Sequence, residues 1–156
     1  MDREMSADTQ VLVIDLGGSE YGIYAKHVKE IARIVEMTPV PEAPSFISGA
    51  IDYRGEMILV VDLLNRLGMG TAEAGLSSLI IVLDVDGKRV GLLVDTVLDV
   101  LSIGTSEIMG SVDTSALPDE VIAGAFSDGD RLLILLDAPA LLNFTDIEIL
   151  KPAGEA

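Results

Sequence analysis

The chain has 156 residues, enough for one domain or for two very small subdomains sharing a core. Hydrophobic residues make up 49 % of it and mean hydropathy is +0.48. Even so, its longest apolar runs, such as Met57 to Val61 and Leu132 to Leu136, stop at an aspartate after about five residues, against the roughly 20 that a membrane-spanning helix needs. A formal net charge of −16 argues against nucleic acid and against anionic membrane surfaces, because both need clustered cations to neutralise phosphate.

Residues 1–9 are polar and unpatterned and are expected to be a disordered lead. Val11 to Leu16 and Tyr21 to Ala25 are rich in strand formers and are joined by Gly17-Gly18-Ser19, a hairpin signature. Lys26 to Ile31 predicts a short helical turn, with Val28 and Ile31 at i, i+3. Arg33 to Thr38 predicts a strand. The prolines of the Pro39 to Pro44 stretch then exclude a helix interior or a central strand, since each lacks a donor. Ile47 to Tyr53 and Met57 to Leu63 predict two more strands around Arg54-Gly55.

Gly68 to Ser78 has the composition of a linker. Beyond it, Leu79 to Val85 and Arg89 to Val94 flank Asp86-Gly87, another hairpin turn. Ala125-Phe126 and Leu132 to Leu136 flank Asp128-Gly129-Asp130, and Ala138 to Phe144 closes the pattern as a short helix.

The second half repeats the first. Residues 11–31 align on 80–100, placing Val13 on Val82, Gly22 on Gly91 and Val28 on Val97; residues 46–67 align on 121–142, placing Gly49 on Gly124 and Asp62 on Asp137. The shared positions include turn glycines and the aspartate that ends each apolar strand, which points to an internal duplication. Strands this short, with turns every 8–12 residues, suit small barrels or sandwiches. Several strands are apolar on both faces, so both faces must be covered.

Catalytic signatures are missing. There is no cysteine, and His27 is the only histidine, which removes most nucleophile–base pairs and zinc sites. Neither a phosphate-binding glycine loop nor a nucleophile elbow is present. Asp84-Val85-Asp86-Gly87 opens like a calcium loop but lacks the later ligands. No enzyme activity, cofactor or metal is therefore expected. Lys26, Lys29 and Arg33, with Arg54 soon after, form a basic spot on an acidic chain, a candidate dock for an acidic partner.

From Val11 to Leu142 the order of features resembles the CheW-like chemotaxis coupling proteins. The carrying residues are 11–17 (Val-Leu-Val-Ile-Asp-Leu-Gly), Tyr21-Gly22-Ile23, Val28-Lys29-Glu30-Ile31, 40–44 (Val-Pro-Glu-Ala-Pro) and 47–55 (Ile-Ser-Gly-Ala-Ile-Asp-Tyr-Arg-Gly). They continue with Val60-Val61-Asp62-Leu63, then 90–95 (Val-Gly-Leu-Leu-Val-Asp) with Val97 and Val100, and finally Asp130 to Asp137. Where the family usually has Asn-Leu-Arg-Gly, this chain has Asp52-Tyr53-Arg54-Gly55.

The resemblance implies a mostly β fold of two intertwined five-stranded SH3-like barrels with short helices. It implies one domain at 10–144, with halves at about 10–68 and 79–144 that exchange strands, and a C-terminal helix or tail at 145–156. It implies a non-enzymatic cytoplasmic adaptor between a CheA-type histidine kinase and the cytoplasmic tip of methyl-accepting chemoreceptors, without membrane insertion. A chemosensory pathway controlling pili, gliding or gene expression is the alternative setting. Carried over by motif, the receptor groove between the barrels would use Val28, Glu30, Ile31, Arg54, Leu79 and Val100, and Gly49 would lie near the kinase contact.

Overall fold

The computed structural model describes residues 8–71, 78–110 and 117–142. Ten strands follow one another: β1 (Asp8–Leu16), β2 (Ser19–Tyr24), β3 (Val28–Arg33), β4 (Ile47–Tyr53), β5 (Glu56–Asp62), β6 (Leu79–Val85), β7 (Lys88–Val94), β8 (Thr96–Gly104), β9 (Ile122–Asp128) and β10 (Arg131–Leu136). Among the described residues helix is confined to α1 (Leu63–Arg66), α2 (Ala138–Leu142) and three single 3-10 turns, at Ala25–His27, Thr105–Glu107 and Asp119–Val121. No helix among the described residues is long and apolar enough to cross a membrane.

The strands form two five-stranded sheets, ordered β8-β1-β2-β10-β9 and β3-β6-β7-β5-β4. Replacing each strand by its repeat partner converts one order into the other. The repeat extends to detail. The parallel pair β2–β10 aligns Gly22 with Leu135, and its equivalent β7–β5 aligns Gly91 with Val60. Both glycines are there for space: a Cβ on Gly22 would lie 2.6 Å from Val11 Cγ1 and 2.7 Å from Leu135 Cδ2, and one on Gly91 2.7 Å from Ile80 Cγ2. Asp62 and Asp137 likewise play one role. Each carboxylate accepts from a backbone N–H three residues on, Asn65 at 3.2 Å and Ala140 at 3.1 Å, starting a helix as its strand ends.

Strands β3 and β8 cross over. Each pairs with the opposite half, β3 with β6 and β8 with β1. Each sheet therefore holds two strands from one half and three from the other.

Three apolar clusters fill the molecule. One, inside the second sheet's curl, joins Ile51, Tyr53, Ile58, Val60, Ile80, Val82 and Leu93; its counterpart in the first joins Val11, Val13, Ile103, Leu133 and Leu135. The third and largest lies between the sheets, drawing Leu12, Ile14 and Ile23 from one side and Leu59, Ile81, Leu83 and Leu92 from the other. Strands in both sheets thus bury both faces, which is why their sequences run apolar without alternation. Ile58, Val60, Ile81, Leu83, Leu133 and Leu135 are all buried.

The structure corrects three readings. Lys26 to Ile31 is not a helical turn: the 3-10 turn ends at His27 and β3 begins at Val28. The register moves from Val28 opposite Leu83 to Glu30 opposite Val82, leaving Lys29 as the extra residue of a β-bulge. A bulge shifts the alternation by one, so Val28 and Ile31 share a face at a spacing of three, which imitates a helix. Arg33 to Thr38 is not a strand either, for β3 ends at Arg33 and only Thr38 makes a bridge, to Ala50. Strand β8 was not foreseen from the sequence, and it has the same bulge, between Asp99 and Val97. In addition, β1 starts at Asp8, inside the stretch expected to be disordered. Residues 143 and 144 of the predicted closing helix and the tail at 145–156 fall outside the described residues.

Candidate partner-binding surface

Strand β3 is an edge of the second sheet, and its bulge sorts its side chains. Val28, Ile31 and Arg33 lie opposite Leu83, Ile81 and Leu79, on the face turned toward the core between the sheets. Val28 and Leu79 pack at the margin of that core, while Ile31 stays 40 % exposed. These residues make an apolar margin where the inter-sheet core reaches the surface. Lys26, Lys29 and Arg33 are exposed along the same strand and the turn before it.

Glu30 takes the other face. It lies opposite Val82, at the mouth of the second barrel, and meets the turn that ends β4. That turn has φ of 53° at Arg54 and 86° at Gly55, the left-handed pair of a type I′ hairpin, held by Gly55 N–H donating to Asp52 Oδ1 at 2.9 Å. Tyr53 Oη and Arg54 Nη2 each donate to Glu30 Oε1 at 2.7 Å. Arg54 also stacks 5.4 Å from the centre of the Tyr53 ring. Because β3 and β4 are the two edges of one sheet, this triad closes the barrel. The hydrogen bond from Tyr53, followed by that from Arg54, lowers the Glu30 pKa below the ordinary carboxylate value.

The motif residues are thus only partly gathered. Val28, Ile31 and Leu79 share one face, and Glu30 and Arg54 form a pair beside it. Val100 belongs to the edge of the other sheet, opposite Leu12 and 52 % exposed. It is the repeat counterpart of Ile31, so each sheet edge exposes one β-branched residue at the equivalent place. The Glu30–Arg54 pair has no such counterpart, because the residue equivalent to Arg54 is Gly129. Gly49 lies on β4, the far edge of the second sheet, where a Cβ would come within 3.0 Å of Met37 Cβ and Thr38 O. Its equivalent, Gly124, meets Met109 O in the same way.

Sequence reasoning missed Tyr53 as a member of the triad. Its only signal is an aromatic next to the turn arginine, and pairing with Glu30 depends on a barrel closure that sequence spacing does not reveal. It also missed Leu98, the bulge residue of β8, which is 49 % exposed beside Val100.

Comparison with known proteins is consistent over the whole described molecule. The family model for the CheW-like domain matches residues 10–146. A probable chemotaxis protein CheW of Rhizobium etli is 31 % identical over 142 residues, covering 90 % of this chain and 92 % of the relative. The chemotaxis protein CheW of Rhizobium meliloti is 35 % identical over 129 residues, covering 82 % and 83 %. The crystal structure of the scaffolding protein TtCheW from Thermoanaerobacter tengcongensis superposes with a TM-score of 0.77 at 30 % identity, covering 83 % of this chain and 84 % of that one. With its two strand-exchanged sheets and this agreement along its length, the chain belongs to the CheW-like family of non-enzymatic scaffolds in chemotaxis signalling.

Proposed function

We propose that this protein is the adaptor that couples a CheA-type histidine kinase to the cytoplasmic signalling tip of chemoreceptors, working on the cytoplasmic side of the membrane. The observation that carries this reading is the β3 margin: in a scaffold-family chain, Val28, Ile31 and Leu79 leave an apolar edge at the surface, beside cations on an otherwise acidic protein. An amphipathic helix fits such a margin by laying its apolar stripe on Ile31, with acidic residues toward Lys29, Arg33 and Arg54. Charge would steer the encounter and apolar contact would hold it. Val100 offers a second exposed apolar residue on the edge of the first sheet, and the kinase is assigned to the β4 side, near Gly49.

The test is a pull-down from a mixture of kinase and receptor signalling tip, followed by separate titrations of the wild type and Arg54→Glu. The wild type is expected to capture both proteins together. Arg54→Glu is expected to lose affinity for the receptor tip and keep its affinity for the kinase. Added salt should weaken the wild-type receptor contact more than that of the variant. Equal loss toward both partners would show that Arg54 supports the barrel and not the contact. Failure to capture either partner would overturn the adaptor assignment.

A further inference from the structure

The two halves repeat each other closely, so a place where they differ in shape as well as charge is informative. One such place is the crossover from β2 to β3. There a cavity of about 260 Å³ is lined by Tyr24, Lys26, His27, Ala123, Asp137 and Ala138, with Pro139 at its rim. The equivalent positions of the other half are closed. Leu93 and Asp62 are no more than 3 % exposed, where their counterparts Tyr24 and Asp137 are only half-buried. Asp95, counterpart of Lys26, is turned away to accept the Gly17 N–H at 3.0 Å. Two changes open the first site: alanine stands in place of Leu63, and long polar side chains stand in place of Asp95 and Thr96.

Its polar groups converge without satisfying one another. The Tyr24 hydroxyl, the Lys26 ammonium and the His27 imidazole have no hydrogen-bond partner among the described residues; Lys26 only lies 5.7 Å from the centre of the Tyr24 ring. Asp137 uses Oδ1 to accept the Ala140 N–H at 3.1 Å, which leaves its second oxygen available. Burial and the adjacent Lys26 lower the His27 pKa below its ordinary value, against the opposing charges of Asp137 and Asp86. Lys26 and Asp137 set one cation and one carboxylate in the lining. A lining that holds both an ammonium and a carboxylate matches a ligand that is itself a dipole, better than a plain anion or cation. Its size points the same way. Cavities of about 150 Å³ admit benzene, and pockets for drug-sized ligands run about 300–1,000 Å³.

We propose that this cavity is a binding site for a small zwitterion of the amino-acid class, its carboxylate on Tyr24, Lys26 and His27 and its ammonium on Asp137. The site adjoins the start of β3 through Lys26 and His27, but its ligand is read from its own lining and not from the adaptor role.

His27 is the only histidine, so its ring gives a single reporter signal in an NMR titration of the full chain. L-alanine, propionate and ethylamine are the three probes, the last two each carrying one end of the zwitterion. L-alanine is expected to move the His27 signal saturably in the millimolar range, with propionate weaker and ethylamine weaker still. Lys26→Ala should weaken alanine binding by about tenfold, the scale of one charge-assisted contact. Asp137→Asn, which keeps an oxygen to accept the Ala140 N–H, should abolish the preference for alanine over propionate. The absence of a saturable shift, an unchanged affinity in Lys26→Ala, or tighter binding of propionate or ethylamine than of alanine would overturn the proposal.

Discussion

Replacing Gly22 by alanine tests whether the parallel junction of β2 with β10 is packed as tightly as its geometry requires. Position 22 lies in a strand and its φ is not positive, so alanine suits the backbone. Taken alone, that would stabilise by about 0.4–1 kcal/mol through a less free unfolded chain. Against this, the new methyl would lie 2.6 Å from Val11 Cγ1, 2.7 Å from Leu135 Cδ2 and 3.3 Å from Leu133 Cδ2. Those three residues are at most 1 % exposed, so they have nowhere to go. Overpacking of a close-packed core costs about 1–3 kcal/mol, so the balance is a net loss of up to about 2.6 kcal/mol, about 1.3 kcal/mol at mid-range. The geometry also ranks the related changes. Gly91→Ala meets one close atom, Ile80 Cγ2 at 2.7 Å, and should lose less; Gly110→Ala meets nothing within 4 Å and should be neutral or better. Urea denaturation of the three variants measures the order directly, through midpoints compared at equal slope. Trimming Val11 to alanine in the Gly22→Ala background should recover part of the loss relative to the sum of the single changes. If Gly22→Ala melts with or above the wild type, the junction is looser than these distances require and the reasoning fails.

Three further substitutions probe the core, the tie between the halves and the Glu30 triad. Leu133→Ala, at 0 % exposure inside the first barrel, should cost about 2–5 kcal/mol in urea denaturation, a large part of a domain's total of about 5–15 kcal/mol. Arg66→Ala removes donors to Leu141 O at 2.6 Å and Ala140 O at 3.1 Å, which tie the two halves together, and should cost about 1.5–3 kcal/mol in the same assay. Tyr53→Phe removes the first cause of the lowered Glu30 pKa, so an NMR titration of that carboxyl should show it rising toward its ordinary value. Because the folded pKa is depressed, the pair supports the fold above the unfolded carboxyl pKa of about 4.3 and loses that support as pH falls through the folded value.

The hairpins were legible because their information is local. Glycine and aspartate turns at 17–19, 54–55, 86–87 and 128–130 are printed in the sequence, and the apolar runs between them leave little choice of secondary structure. The repeat was legible for the same reason, since turn glycines and strand-ending aspartates recur in order. The bulged strands were not. Val28 and Ile31 share a face only because Lys29 is extruded, and Val97 and Val100 only because Leu98 is, and an extruded residue leaves a spacing of three that also describes a helix. The binding surface was partly legible. Arg54 stands out as the cation of a turn in an acidic chain, but its partner Glu30 is 24 residues away and on the opposite edge of the sheet. Such a contact arises from barrel closure, a property of the assembled sheet and of no single segment.

The crossing of β3 and β8 also constrains how the chain comes into being. Strand β2 pairs β10 through Tyr21 and Ile134, and β1 pairs β8 through Leu12 and Val100, so the first sheet joins the two ends of the chain. Synthesis proceeds from the N-terminus, and that sheet cannot be completed until Leu136 has left the ribosome. The second sheet, whose strands run from β3 to β7 along the chain, has all of them once Val94 is out. It is the part of the molecule able to form first, with the β1–β2 hairpin beside it keeping both outer edges unpaired until the rest arrives. Loops of this span must close before their contacts stabilise anything, which is the circumstance in which β proteins fold slowly and expose their edges longest. The acidic surface then has a second use, keeping half-assembled chains apart while the first sheet waits for its last three strands.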